Sequence, residues 1–277
     1  MLLCYGTLPF NAVLKSLLGR KPEQAPASAP GVRAARLADR VYPGLVVRAY
    51  GSASGVVLTD LSNKEAALPA PYRGLILDFG GVLTTRMRLN GEAFERSEGL
   101  TPGAYFAALS EHPDGVAIYA ALEVGEATQE DWNRVIGGIL GIDPTHLMQR
   151  ALANLRPEPQ IVAAAERARA AGIKVAMLSN SFGIEPYNPY EDKGMWADSF
   201  DAVILSELEG VRKPSPLIYQ RALDALGLSG PECVFVDDHP ENLPPAEALG
   251  IRTVHHTTDP TATAAVLDSL LLDPAPA

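Results

Sequence analysis

From residue 74 onward, short apolar runs alternate with longer segments of helical periodicity. This alternation limits the fold more than any other feature of the chain. GLILDF (74–79) is a continuous apolar run and reads as a buried strand. IKVAMLS, DAVILS, CVFVD and IRTVHH repeat that signal downstream. Between them lie helical segments. PQIVAAAERARAAG ends on Gly172, SPLIYQRALDALG starts with Ser215 as cap and Pro216 in the first turn, and PPAEALG and TATAAVLDSLLL follow. Residues 85–155 carry helical signals only. Thr128 with Asp131 forms a capping-box pattern ahead of WNRVIGGIL, and Asp143-Pro144 predicts a helix start before THLMQRALANL. Strand–helix alternation over such a length predicts an α/β fold, a doubly wound parallel sheet with helices on both faces. The helical insert after the first strand (about 85–156) would lie over the carboxyl ends of the strands, where ligands bind in open α/β sheets, and so act as a cap.

Four polar clusters fall at the ends of these predicted strands. Asp78 ends the first, Ser179 and Asn180 the second, Lys213 follows the third in EGVRKPSP, and Asp237-Asp238 ends the fourth. A parallel sheet brings all of those ends to one edge. Three carboxylates, one ammonium and a hydroxyl–amide pair suit phosphoryl transfer. A carboxylate attacks phosphorus, Mg²⁺ on oxygen ligands neutralises the phosphate, and lysine and hydroxyl donors hold its oxygens. Taken singly, each cluster has an ordinary alternative. An Asp at a strand end is commonly a turn or cap residue, Ser179-Asn180 could cap a helix, and Lys213 could be a solvated lysine. Adjacent carboxylates at a strand end, however, repel unless a cation compensates them.

In order and spacing, LILDFGGVLT, AMLSNS, GVRKPSPLIY and VFVDDHPENLPPAEALGI resemble the four motifs of the haloacid-dehalogenase (HAD) superfamily, subfamily IA. The pattern is similar to the N-terminal phosphatase domain of soluble epoxide hydrolases. The resemblance implies a HAD-like Rossmannoid fold and a Mg²⁺-dependent hydrolase acting on a small phosphorylated metabolite through an aspartyl-phosphate. It further implies Asp78 as nucleophile, Ser179 and Asn180 as phosphate-binding residues, and Lys213 as the group steadying nucleophile and phosphate. Asp238, Asp78 and the Gly80 carbonyl would be the metal ligands. Asp237 would orient Lys213 or a metal-bound water, and Asn242 would support that loop. The departure is Gly80, where the family usually carries a second Asp that protonates the leaving oxygen. Its absence points to esters with good leaving groups. His239 is either a water-activating group or a residue capping the following turn. Tyr105, Tyr119 and Trp132 are expected in the core of the cap. Two competing readings are a haloacid dehalogenase or phosphonatase, and a binding or regulatory protein without catalysis.

The N-terminal residues read differently. Strand-like LLCYGT, GVRAARL, YPGLVV and SASGVVLTDL are separated by turns, and KPEQAPASAPG (21–31) is expected to be irregular. CYGTLPF, VYPGLV and SASGVVLTDLS resemble part of a γ-glutamylcyclotransferase-like (AIG2-like) domain, whose substrate loop would be Tyr5–Leu8. The family's catalytic glutamate has no counterpart near Arg73. The expected division is 1–66 for this β-rich segment, 67–73 for a linker and 74–277 for the hydrolase domain. Half a barrel leaves sheet edges to cover, so packing on the hydrolase domain and a homodimer both stay open. Charge supports the boundary. Residues 1–70 hold eight Lys/Arg and four Asp/Glu, while the whole chain carries −10. The basic residues are scattered without interleaved aromatics, which argues against nucleic acid. No apolar run is long enough to span a membrane, and no signal peptide is expected from the start of the chain. Cys4 and Cys233 lie far apart in apolar runs, as buried thiols of a reducing compartment, so a cytoplasmic location is expected.

Overall fold

A computed structural model describes residues 72–195 and 197–272, together with the backbone of strands at 2–4, 24–35 and 44–58. The chain divides into two compact units at residues 70/71.

In the first unit β1 (Leu2–Cys4), β2 (Gln24–Ala35) and β3 (Gly44–Leu58) form an antiparallel sheet in the order β1-β3-β2. The Pro- and Ala-rich stretch expected to be irregular is therefore largely strand. Its prolines are tolerated because, among the described strands, β2 pairs with β3 alone, an edge position where a missing N–H need not break a ladder. A register shift between Pro30 and Val32 interrupts the pairing. YPGLVV and SASGVVLTDL contribute to one long strand rather than two. Tyr5–Leu8 lie outside the described residues.

The second unit is built on β4 (Gly74–Leu77), β5 (Lys174–Ser179), β6 (Ala202–Leu205), β7 (Cys233–Asp237) and β8 (Arg252–His255). All pairings are parallel and the order is β6-β5-β4-β7-β8. This is the expected α/β arrangement. Alternation along each strand splits the core in two. Leu75, Leu77, Val175, Met177, Val234 and Val236 pack on one face with α6 (Pro159–Ala170) and α11 (Pro260–Leu271). Ile76, Ala176, Leu178 and Phe235 pack on the other with α9 (Pro216–Leu226) and α10 (Leu243–Ala248). Burial on both faces is why these strands read as unbroken apolar runs.

Between β4 and β5 the chain forms α1 (Met87–Glu98), α2 (Ala104–Ser110), α3 (Pro113–Glu123), α4 (Gln129–Leu140) and α5 (Leu147–Ala151), and the short α7 (Pro189–Asp192) and α8 (Ser206–Glu209) follow β5 and β6. The Thr128–Asp131 capping box is present at α4. The helix expected after Asp143-Pro144 starts later. Asp143 accepts a hydrogen bond from the Thr145 amide and makes a turn, His146 takes φ 51°, and α5 begins at Leu147. Ser215 does precede α9, with Pro216 in its first turn, but its side chain makes no capping bond. Trp132 and Tyr105 are buried in the cap, as expected. Buried Gln129 ties the cap to the core. Its amide donates to the carbonyls of Phe182 (3.0 Å) and Tyr187 (2.7 Å), and its oxygen accepts from the Tyr187 amide (3.2 Å). Among the described residues no helix is long and apolar enough to cross a membrane.

Candidate active site

The sheet order puts β4 at its centre, with the chain running to β5 and β6 on one side and to β7 and β8 on the other. The carboxyl ends of β4, β5 and β7 therefore lie side by side at the point where the winding reverses, the place for a ligand in such sheets. Asp78 follows β4 in extended conformation (φ −68°, ψ 156°) and opens the tight turn Phe79–Leu83. Gly81 sits in that turn at φ 91°, and a Cβ there would lie 2.5 Å from Asp238 Oδ2, so both backbone and space require glycine. Thr84 holds the turn, its hydroxyl donating to Phe79 O (3.1 Å) and accepting from Gly81 N (3.3 Å).

Lys213 joins the strand ends. Its buried ammonium donates to Asp78 Oδ1 (2.5 Å), Asp237 Oδ2 (2.7 Å) and Leu178 O (3.1 Å), so all three donors are used. Asp237 is fully buried and saturated. Its second oxygen accepts from His239 N (2.8 Å) and Asn242 Nδ2 (3.0 Å). Asp238 differs, since its buried Oδ1 has no hydrogen-bond partner. One oxygen from each of Asp78, Asp237 and Asp238 falls within 4.8 Å of the others.

Three carboxylates against one ammonium leave two negative charges in a buried cluster. Burial, with Asp237 and Asp238 adding to it, lifts Asp78 to about 7 against the opposing pull of Lys213. Burial also raises Asp238, helped by Asp237. Lys213 is raised as well. Burial alone would lower it, but Asp78 and Asp237 outweigh that and hold the ammonium charged. Such a cluster matches a divalent cation in charge and in ligand chemistry, and Asp78 and Asp238 have oxygens free to hold one.

Asp78, Gly80, Ser179, Asn180 and Lys213 line one cavity of about 320 Å³, with Asp237 enclosed behind Lys213. The Asn180 amide is engaged with the backbone of Lys213, accepting from its N–H (2.9 Å) and donating to its carbonyl (3.2 Å). Ser179 Oγ donates to Asn180 O and accepts from Tyr190 OH, each at 3.1 Å. His239 occupies the cap position of the next turn but makes no capping bond. Its ring lies 3.3 Å from Glu241 and lines the cavity.

The residues 72–250 match the haloacid dehalogenase-like hydrolase family. The chain belongs to that family. Among the proteins similar to it is Acyl-CoA dehydrogenase family member 10 of Mus musculus, 30% identical over 66% of this chain. Another is the sesquiterpene phosphatase astK of Aspergillus oryzae, 29% identical over 54%. The matched stretch spans 18% of the first relative and 76% of the second. Two solved HAD structures share the fold. One is a predicted HAD-like hydrolase from Porphyromonas gingivalis, with TM-score 0.55, 22% identity, and 71% of this chain and 98% of that one covered. The other is a HAD enzyme from Bacteroides thetaiotaomicron in complex with magnesium and inorganic phosphate, with TM-score 0.50, 22% identity, and coverage of 68% and 95%.

Besides Tyr119, which the sequence placed in the core of the cap, this HAD hydrolase brings to its cavity Met87, Glu123, Phe182 and Arg212, to which the sequence gave no role. Tyr119 thus belongs to the cavity wall rather than to the cap core alone. Tyr119 and Glu123 stand four apart on α3 and so share a face, a signal available in PDGVAIYAALE. Arg212 directly precedes Lys213 but turns to the cap, where its guanidinium pairs with the buried Glu123 carboxylate. His255, given no role by the sequence, lies with Nε2 3.1 Å from the Asp238 carbonyl.

Proposed function

We propose that this chain is a Mg²⁺-dependent phosphomonoester hydrolase. The observation that carries the reading is the Asp78–Lys213–Asp237 chain of charge-assisted bonds beside the buried Asp238 oxygen that accepts no hydrogen bond. Buried polar atoms without a partner are rare, and an oxygen-liganded cation would satisfy this one. Asp78, Asp238 and the Gly80 carbonyl would hold the ion, which when bound neutralises the phosphate. Asp78 attacks phosphorus through the oxygen not bonded to Lys213, the ester P–O bond breaks and the alcohol leaves as its oxyanion, and water then cleaves the aspartyl-phosphate to Asp78 and inorganic phosphate. The Lys213 ammonium, its three donors already placed, offsets the charge of the phosphate, and the Ser179 hydroxyl would turn from Asn180 O to hold a phosphate oxygen. Asn180 acts as a positioning residue by clamping the Lys213 backbone, and Asp237 orients the ammonium.

With glycine at position 80, the turn after Asp78 offers no carboxyl there to protonate the leaving oxygen, so the enzyme favours esters with good leaving groups: aryl, acyl or anomeric phosphates. We assign it to the cytoplasm on the buried free thiol of Cys233. The kinship with the phosphatase domain of soluble epoxide hydrolases rests on the four motifs, and that of the N-terminal segment with cyclotransferases on CYGTLPF. Phosphate release from a panel of monoesters, with Mg²⁺ and with a chelator, tests the activity. Asp78→Asn should abolish turnover and leave the circular dichroism spectrum unchanged. A wild type that is inert on every ester, or equally active with the chelator, would overturn the reading.

A further inference from the structure

Beyond the carboxylate cluster the cavity has a second side, which meets the cluster at Gly80 and at His239, 3.9 Å from Asp238, and its charges are all matched within the protein. Arg212 is paired with Glu123, whose side chain is only 5% exposed. Glu241 lies 3.3 Å from the His239 ring, and Lys213 is held by Asp78 and Asp237. No cation lining the cavity therefore lacks a carboxylate neighbour. The walls nearest Gly80 are apolar. A Cβ on that residue would meet Met87 Cγ and Sδ at 3.3 Å and Phe182 Cζ at 3.9 Å, and Tyr119 lines the same cavity.

We propose that this side is a subsite for an uncharged, apolar leaving group, and that the Arg212–Glu123 pair excludes substrates with a second anionic group. The proposal rests on the phosphatase reading and names the substrate class for it: phosphate esters of aromatic or similar flat apolar alcohols. A thioether and two aromatic rings offer dispersion and edge contacts to such a group. A second carboxylate or phosphate would meet Glu123 and Glu241 with no free cation to receive it, and like charges placed together are how a site rejects a wrong partner. Glu123 acts here by holding Arg212. Once freed, a guanidinium has the fork geometry to take a carboxylate by two bonds.

The test compares phenyl phosphate with 3-carboxyphenyl phosphate in the wild-type protein with Mg²⁺, and repeats the comparison in Glu123→Gln. The wild type should favour phenyl phosphate by about tenfold or more in kcat/KM, mostly through KM. In Glu123→Gln the ratio should shift toward the carboxylated ester by about tenfold, the size of one charge-assisted contact. Phe182→Ala should raise KM for phenyl phosphate more than it lowers kcat, and it keeps a readout if Glu123→Gln does not fold. Turnover of both esters with the carboxylated one equal or preferred in the wild type would sink the subsite while leaving the phosphatase reading intact. Turnover of neither ester would sink the subsite, and the phosphatase reading falls with it only if the whole monoester panel is inert.

Discussion

Gly80→Asp puts the missing proton donor to a direct test. Gly80 adopts φ −77°, ψ 107°, a conformation open to any L-residue, so the backbone does not require glycine. A Cβ would lie 3.3 Å from Met87 Cγ and Sδ, tighter than most contacts, so the Met87 side chain must give by a few tenths of an ångström. An unbranched thioether can do so, and the cost should be about 1 kcal/mol, the low end for overpacking. A positioned general acid contributes ~10²–10⁴-fold, and it contributes most where the leaving oxygen is most basic. The assay is phosphate release across esters of graded leaving-group pKa. The wild type should fall steeply toward alkyl phosphates. Gly80→Asp should flatten that slope, gaining about 10²-fold on alkyl esters and little on aryl ones. The next residue is the control. Gly81→Asp combines a φ of 91° with a Cβ 2.5 Å from Asp238 Oδ2, so it should lose both stability and activity. A folded Gly80→Asp with the wild-type slope would refute the view that a missing acid sets the choice of leaving group.

Three further outcomes follow from the same geometry. Lys213→Met leaves two buried carboxylates side by side, so urea unfolding should show a loss of about 3–5 kcal/mol, and phosphate turnover should vanish. Asp78 is raised to about 7 from an ordinary carboxylate value, so between roughly pH 4 and 7 the native state holds a proton that the unfolded state does not. Its contribution therefore makes the metal-free protein less stable as pH rises through that window. The Mg²⁺-induced rise in Tm should grow over the same range and level off above pH 7, and a pH-independent Mg²⁺ effect would contradict this. Gln129→Leu strands three backbone groups at the cap–core junction, so Tm should fall and the Tyr187 amide should exchange hydrogen faster.

How much of this was legible in the sequence depends on which residues fix each group. Asp78, Ser179, Lys213 and Asp237-Asp238 could be brought together without coordinates because each follows an apolar run, and parallel strands put their ends on one edge. The division of labour within Asp237-Asp238 could not be read from two adjacent identical letters. It depends on which oxygens the Lys213 ammonium, the His239 amide and the Asn242 side chain already occupy. Composition misled at β2, where Pro and Ala suggested irregularity but an edge position tolerates the lost donors. It misled again at Asp143, whose carboxylate closes a turn before the helix rather than capping it. Met87 and Phe182 gave no signal, because their presence at the cavity is set by tertiary packing alone.

The two sides of the cavity differ in how they are built. The side-chain bonds that join Asp78, Lys213, Asp237 and Asn242 lie among strand ends and the loops that follow them, so the phosphate side is a property of the sheet. On the leaving-group side, Tyr119 and Glu123 come from α3 of the insert and Met87 from the start of α1. Arg212 and Lys213 are neighbours in sequence yet fall on opposite sides of this division, the lysine bonded to the core and the arginine to the cap. Glu123 also reaches the core through its carbonyl, which accepts from the Ser206 hydroxyl. A cap lifted from the sheet would separate Arg212 from Glu123 and leave the lysine network whole. The matched charge around the leaving group is thus a property of the assembled cap and core, and substitutions in α3 should alter which ester is chosen before they alter whether phosphorus is attacked.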